Sequence, residues 1–361
     1  MMKKRTNFYY LLFFMGILIS IRPDIAGAEK SAKPDNLRRG VVERTIDSTQ
    51  PHHEVPIQID SEAAESIINW AKSESLVLPE DWRSKQPYSL TRQWAGWSGQ
   101  PDSDIHTIES LKKVLSLKKK NLKLTSVLKA ELLMGELLKR KKVFIENAVS
   151  YLSSYLPTGT PIKGRILFAL YIPPYAFAWA GNIVVDLAAK FWEGNAEKVL
   201  NLLVHELYHN GFTFHHHGTP SIECDKPNAL LDHLLWQTQN EGMATYVAYN
   251  EKSDGFKNED YIFLDTPKEV LSRFSMLRRL IADAKAVNKE QLPEFQKRIW
   301  QEGVMSRAFY IVGAYMARRI EESKGRNALI ETVKTGPVNF FEAYEETSPP
   351  EELRIKLDFD K

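Results

Sequence analysis

The sequence predicts a mainly helical α+β fold with a small sheet beside one helix. Three observations carry this. Residues 61–155 repeat apolar side chains at helical spacing. After Pro161 two short apolar, β-branched segments, 164–172 and 182–188, read as strands. From Asn195 onward helical patterns return and run almost to the C-terminus.

The elements follow in order. Met1-Met2-Lys3-Lys4-Arg5 is a basic start, residues 8–21 are apolar, and Ala26-Gly27-Ala28 is a small-residue cleavage site. This reads as a secretory signal over 1–28 with Glu29 as the mature start. An uncleaved anchor is the alternative, but the apolar run is shorter than the roughly 20 residues of a bilayer span. Residues 29–60, polar and holding Pro34, Pro51 and Pro56, read as a flexible leader. A helix follows over 61–72. Trp70, Trp82, Trp94 and Trp97 then fall among Pro79, Pro87 and Pro101, which suggests an irregular packed region. Core packing is the plain role for these rings, and sugar stacking is the alternative.

Residues 107–117 are helical in pattern and end in a lysine-rich solvated stretch. Residues 125–152 form a long amphipathic helix that Leu156-Pro157-Thr158-Gly159 stops. Pro173-Pro174 and Ala180-Gly181 separate and turn the strand segments. The next helix starts near Asn195, with Gly211 as its stop. Further helices are expected over 227–249, 268–287, 293–322 (as one or two), 327–334 and 338–344. The expected units are a helical region over 61–155, a second region over 156–346 and a tail over 347–361.

The chain has 361 residues, of which 43% are hydrophobic and 26% charged, enough for a sizeable core. Residues 1–28 carry four positive charges and one negative, so without them the formal charge of +2 becomes −1. That argues against a nucleic-acid partner. The single cysteine, Cys224, rules out an intramolecular disulfide. A tolerated or buried thiol is its plain reading, and a metal ligand the sharper one.

The chemistry lies in His205-Glu206-Leu207-Tyr208-His209, an H-E-x-x-H pentapeptide. Positions four apart share a helix face, so the two imidazoles can grip one ion. Glu206 then lies where it can take a proton from a metal-bound water. Such a site needs a third ligand and an open position. Glu241, in Gln239-Asn240-Glu241-Gly242-Met243-Ala244-Thr245-Tyr246, is the best candidate, since a helix hairpin would bring it back. Gly242 and Ala244 would let its helix pack closely on the motif helix. His215, in the His215-His216-His217 triplet, is the alternative ligand. Glu223, Asp225 and His233 are weaker rim candidates, and Asp186 is a candidate partner for a ligand histidine. Tyr310 and Tyr315, in "RAFYIVGAYMARRI", could donate to a tetrahedral oxyanion, with core packing as their plain role. The strand at 182–188 could offer an edge to an extended peptide. Two imidazoles and a carboxylate suit Zn2+.

The layout resembles the gluzincin side of the zinc metallopeptidases, and more narrowly a bacterial family of zinc-dependent proteases of unassigned function. "HELYHNGF", "NEGMATY" and the tail "YIVGAYMARRIEESKGRNALIETVKTGPVNFFEAY" carry the resemblance, over about 120–346. It implies a zincin-like fold with the sheet beside the motif helix. It also implies His205, His209 and Glu241 as zinc ligands and Glu206 as base. The thermolysin-like pattern E-x-x-x-D is not intact, because Thr245 stands in the place of the aspartate. The reading is thus an exported, periplasmic or secreted peptidase acting on peptides or proteins. The alternative is an exported module that holds zinc, or binds a protein, without catalysis. An intact Glu206 argues against that alternative, since a purely structural site needs no base.

Overall fold

Consecutive buried residues from Ile166 to Leu170, with Ile183, Val184 and Val185 beside them, are what strands covered on both faces require. They build the middle of the sheet in this computed structural model, which describes residues 57–98, 103–216 and 228–357. The signal at 1–28, most of the leader, His217, Glu223, Cys224 and Asp225 lie outside the described residues.

Four strands, β1 (Ile57–Asp60), β2 (Gly164–Ala169), β3 (Ala176–Trp179) and β4 (Asn182–Asp186), pair in the order β1-β2-β4-β3. β1, β2 and β4 run parallel, with Ile57 opposite Gly164 and Arg165 opposite Asn182. β3 returns antiparallel on β4, with Ala178 opposite Ile183. The hairpin turns at Ala180 and Gly181, both at positive φ (49° and 75°), as a two-residue turn between twisted strands demands.

Three expectations change here. Residues 57–60, read as leader, form β1; four residues are too few for alternation to stand out after Pro56. β3 went unread for the same reason. Its presence moves the free edge of the sheet, because β4 is hydrogen-bonded on both sides and β3 is outermost. The 182–188 segment therefore offers no edge to a peptide.

The helices are α1 (Glu62–Lys72), α2 (Gln86–Ser98), α3 (Ser103–Lys119), α4 (Thr125–Ser153), α5 (Ala196–Phe214) and α6 (Ala229–Glu251). Then come α7 (Glu259–Leu264), α8 (Pro267–Ala284), α9 (Leu292–Arg298), α10 (Ala308–Lys324), α11 (Arg326–Thr335) and α12 (Pro337–Glu345). The fold is thus α+β and mainly helical. The tryptophan region is less irregular than its prolines suggest, since Pro87 sits in the first turn of α2, where a missing N–H costs nothing. Trp70 and Trp82 are buried, and Trp94 packs against Phe177 with ring centroids 5.3 Å apart. No helix of the described residues is long and apolar enough to cross a membrane.

One helix end also differs from expectation. Gly211 does not stop α5, which continues to Phe214. The glycine serves packing instead, because a Cβ there would lie 2.4 Å from Leu156 Cδ1. The 293–322 pattern is two helices, one of the two readings the sequence left open. A π-helical turn over Ile299–Met305 follows α9, and Arg307, at φ 62°, starts α10.

α5 packs on β3 and β4 on one side and on α4 and α6 elsewhere. Its start is fixed by Asn195, whose side chain accepts from the backbone N–H of Glu197 at 2.9 Å. Further along, the buried Asn201 donates to the Ala248 carbonyl on α6 at 2.8 Å and accepts from the Tyr261 hydroxyl at 2.5 Å. One amide thus locks α5, α6 and α7 together. α6 is buried almost all round, as a central helix must be. Gly242 of α6 faces Gly313 of α10 rather than the motif helix, and a Cβ on Gly242 would lie 2.2 Å from the Gly313 Cα. The small residue therefore serves a different helix pair from the one expected.

Asp186, at the end of β4, is committed to its own turn. Its Oδ1 accepts from the backbone N–H groups of Tyr171 at 2.7 Å and Ala188 at 2.9 Å. Burial pushes its carboxyl up to about 7 against the pull of these bonds. Asp186→Ala is expected to cost about 2–3 kcal/mol in urea unfolding. Asp186→Asn, whose amide oxygen can accept both bonds, should lose less. Between its ordinary value of 3.8 and about 7 the folded carboxyl holds a proton that the unfolded one releases. Stability from this group therefore falls as pH rises through that window, and the Asn variant should lack that slope.

Candidate metal centre

One turn of α5 separates His205 from His209, and the geometry follows from that spacing. The two rings stand edge to face at 85°, with centroids 4.7 Å apart and Nε2 atoms 3.1 Å apart. Glu241, from the middle of α6, brings Oε2 to 3.3 Å from His205 Nε2 and 3.5 Å from His209 Nε2. Among the described residues these are the one group of three whose ligand atoms lie within 4.8 Å of one another. A tetrahedral zinc with bonds of roughly 2.0–2.2 Å spaces its donors about 3.3–3.6 Å apart. The three observed spacings lie in or next to that range, so the donor set could hold a metal ion.

The tautomer of His209 is fixed by a residue that had no assigned role. His209 Nδ1 lies 2.9 Å from Asn240 Oδ1. An amide oxygen only accepts, so Nδ1 carries the proton and a neutral ring turns its Nε2 lone pair toward Glu241. Asn240 precedes Glu241, so one turn of α6 supplies both a carboxylate and the group that orients a histidine. A clue lay in the sequence, because Gln239 and Asn240 are consecutive amides inside a buried helix. Buried amides need partners, and Gln239 finds its own in the Thr332 carbonyl at 2.9 Å.

Burial opposes charge on Glu241, but His209 and His205 hold its carboxyl well below the usual range. Burial likewise opposes charge on His209, but Glu241 outweighs it and raises the imidazole to about 9. Protons and a bound cation would therefore compete for the same cluster. Glu206 is buried beside it and is not among the converging ligand atoms. Burial pushes its carboxyl up, against the pull of His209, His205 and a hydrogen bond from the Ala178 backbone on β3.

The two tyrosines part company. Tyr310 lies parallel to His205, with 12° between rings and centroids 6.1 Å apart. Tyr315 packs in an aromatic core against Phe274 at 5.6 Å and Tyr344 at 6.5 Å, away from the cluster. Five residues on one helix put the two rings on different faces, which the sequence window could not separate. His215 is engaged with Thr160 Oγ1, 2.7 Å from its Nε2. His233 is buried in α6 outside the group of three. Asp186 holds its turn, so Asn240 is the residue found beside a cluster histidine. Thr245 is buried, and its hydroxyl has no hydrogen-bond partner among the described residues. It supplies no carboxylate to orient His205.

Tyr175, Asp260 and Arg307 lie near Glu206 and Tyr310, and no local sequence pattern marks them. Arg307 and Glu206 both act electrostatically on the Tyr175 hydroxyl. Tyr175 stacks on Phe191 at 5.1 Å and 16°.

Residues 74–348 match the sequence profile of a family described as "Putative zinc dependent peptidase (DUF5700)". No curated protein and no solved structure matches the chain.

Proposed function

The chain belongs to that family, and from this premise we propose an exported metallopeptidase that hydrolyses peptide bonds of peptides or proteins. His205, His209 and Glu241 would hold Zn2+ in a zincin-like arrangement. The observation that carries this is the convergence of two Nε2 atoms and one carboxylate oxygen at 3.1, 3.3 and 3.5 Å. Bound zinc would supply a Lewis acid that polarises a carbonyl and acidifies water. Glu206 would take the proton of the attacking water and pass it to the leaving amine. Its raised carboxyl makes it a stronger base than an ordinary glutamate. Tyr310 is the candidate donor to the oxyanion, on the strength of its place beside His205. Asn240 keeps His209 in the ligating tautomer. The outer edge of β3, whose Ala178 touches Glu206, would pair with an extended substrate.

The test is metal content of the purified chain against Glu241→Ala. About one zinc per chain is expected in the wild type, and at least 100-fold weaker binding in the variant. Zinc held at full strength without Glu241 would move the third ligand to His215 or Cys224. No zinc in either protein after metal supply would end the peptidase reading.

A further inference from the structure

A left-handed arginine is costly, and Arg307 is one. It adopts φ 62° between the π-helical turn and α10. A long side chain there is strained and persists only where its surroundings enforce it. The surroundings do so from two sides. On one, the guanidinium makes a two-pronged contact with Asp260 of α7, Nε to Oδ1 at 2.7 Å and Nη2 to Oδ2 at 2.5 Å. Asp260 is itself set by Asn258, whose side chain caps its backbone N–H at 3.0 Å. On the other, Gly303 of the π-helical turn leaves room for the fully buried Phe309, and a Cβ at 303 would lie 2.1 Å from that ring.

Tyr310 lies against the first of these anchors. The Arg307 guanidinium carbon lies 3.2 Å from the centre of its ring. His205 also lies against that ring, in the parallel arrangement described above. Asp260, Arg307, Tyr310 and His205 thus form a continuous stack from α7 to the motif helix. An arginine–carboxylate fork is planar and directional, so it fixes the plane of whatever lies on the guanidinium.

We propose that the Asp260–Arg307 pair is a positioning device that holds the Tyr310 ring in register with His205. Neither residue belongs to the group of converging ligand atoms; both act through Tyr310. The kinetic part of the claim rests on the peptidase reading, and the structural part does not.

The experiment pairs Arg307→Lys and Asp260→Asn with Tyr310→Phe, singly and in double variants, with zinc content and thermal unfolding recorded for each. The first readout is the spectrum of the metal-free protein labelled with 13C at tyrosine Cζ, Tyr310 being assigned by its loss in Tyr310→Phe. The Tyr310 signal is expected to shift in both variants, alongside that of the neighbouring Tyr175, while the remaining tyrosines stay put. Lysine keeps the charge but cannot form the fork, so full retention of the signal in Arg307→Lys would overturn the proposal. The second readout is peptide cleavage. Each single variant is expected to lower kcat by about 10- to 100-fold with KM within about 3-fold and zinc unchanged. In the Tyr310→Phe background the further loss should be under about 2-fold. A full loss in that background, or a loss carried by KM, would overturn it by showing action independent of Tyr310. If the wild-type chain cleaves no peptide, the peptidase reading fails and the spectrum alone decides the positioning claim.

Discussion

Glu206→Gln is expected to lower kcat for peptide cleavage by about 10³-fold while zinc stays bound. Glutamine matches the shape of glutamate but cannot accept the proton. Zinc should stay because the converging ligand atoms belong to His205, His209 and Glu241, not Glu206. A second consequence follows from burial. The Glu206 carboxyl is raised above its ordinary 4.5 in the folded protein. Its contribution to stability is therefore present below that value and lost as pH rises through the raised one. At neutral pH the metal-free wild type carries this burden and Glu206→Gln does not. The metal-free variant should melt no lower than the wild type at pH 7 and lose its advantage near pH 4. Kinetics with a peptide library and calorimetry at the two pH values check both halves. A variant that loses zinc along with activity would make Glu206 a ligand rather than the base.

Gly313→Ala is expected to damage the fold severely for a single added methyl. The added Cβ would sit 2.0 Å from the Thr238 carbonyl oxygen and 2.7 Å from the Gly242 Cα. Both neighbours are backbone, so no side chain can step aside and α6 must part from α10. Overpacking of this kind costs about 3 kcal/mol, or a fall in Tm on the order of 5 °C for a domain of this size. The damage should reach the metal centre, because α6 carries Glu241 and α10 carries Tyr310. Weaker zinc binding is therefore expected alongside the lower Tm. Gly135→Ala is the control. It lies inside α4 with nothing within 4 Å of an added Cβ, so the better helix former should gain roughly 0.5–1 kcal/mol. Equal melting temperatures for the two variants would contradict the close crossing of α6 and α10.

The residues converging at the centre were legible because their chemistry is local. H-E-x-x-H on a helix fixes the His205–His209 spacing by itself, and Glu241 falls one helix later, close enough for a hairpin to return it. Long periodic elements such as α4 and α8 were equally readable, since many turns repeat the same signal. What went unread depends on contacts between distant segments. β1 and β3 have four residues each and exist because β2 and β4 offer them partners. Gly211 and Gly242 looked like a stop and a packing face for the motif helix. Their roles are set by Leu156 and Gly313, which no local pattern names. Arg307 and Asp260 are 47 residues apart, and nothing in either local sequence marks a pair. The position of the break before α10 is hidden for a related reason, as Met305-Ser306-Arg307 contains neither glycine nor proline.

The most direct test is the zinc X-ray absorption spectrum of the zinc-loaded protein. Four light donors at roughly 2.0–2.2 Å are expected, two of them imidazoles, with one position left to solvent. A sulfur shell near 2.3 Å would bring Cys224 into the site and close it. That result would contradict the open three-ligand centre and favour zinc held for structure alone.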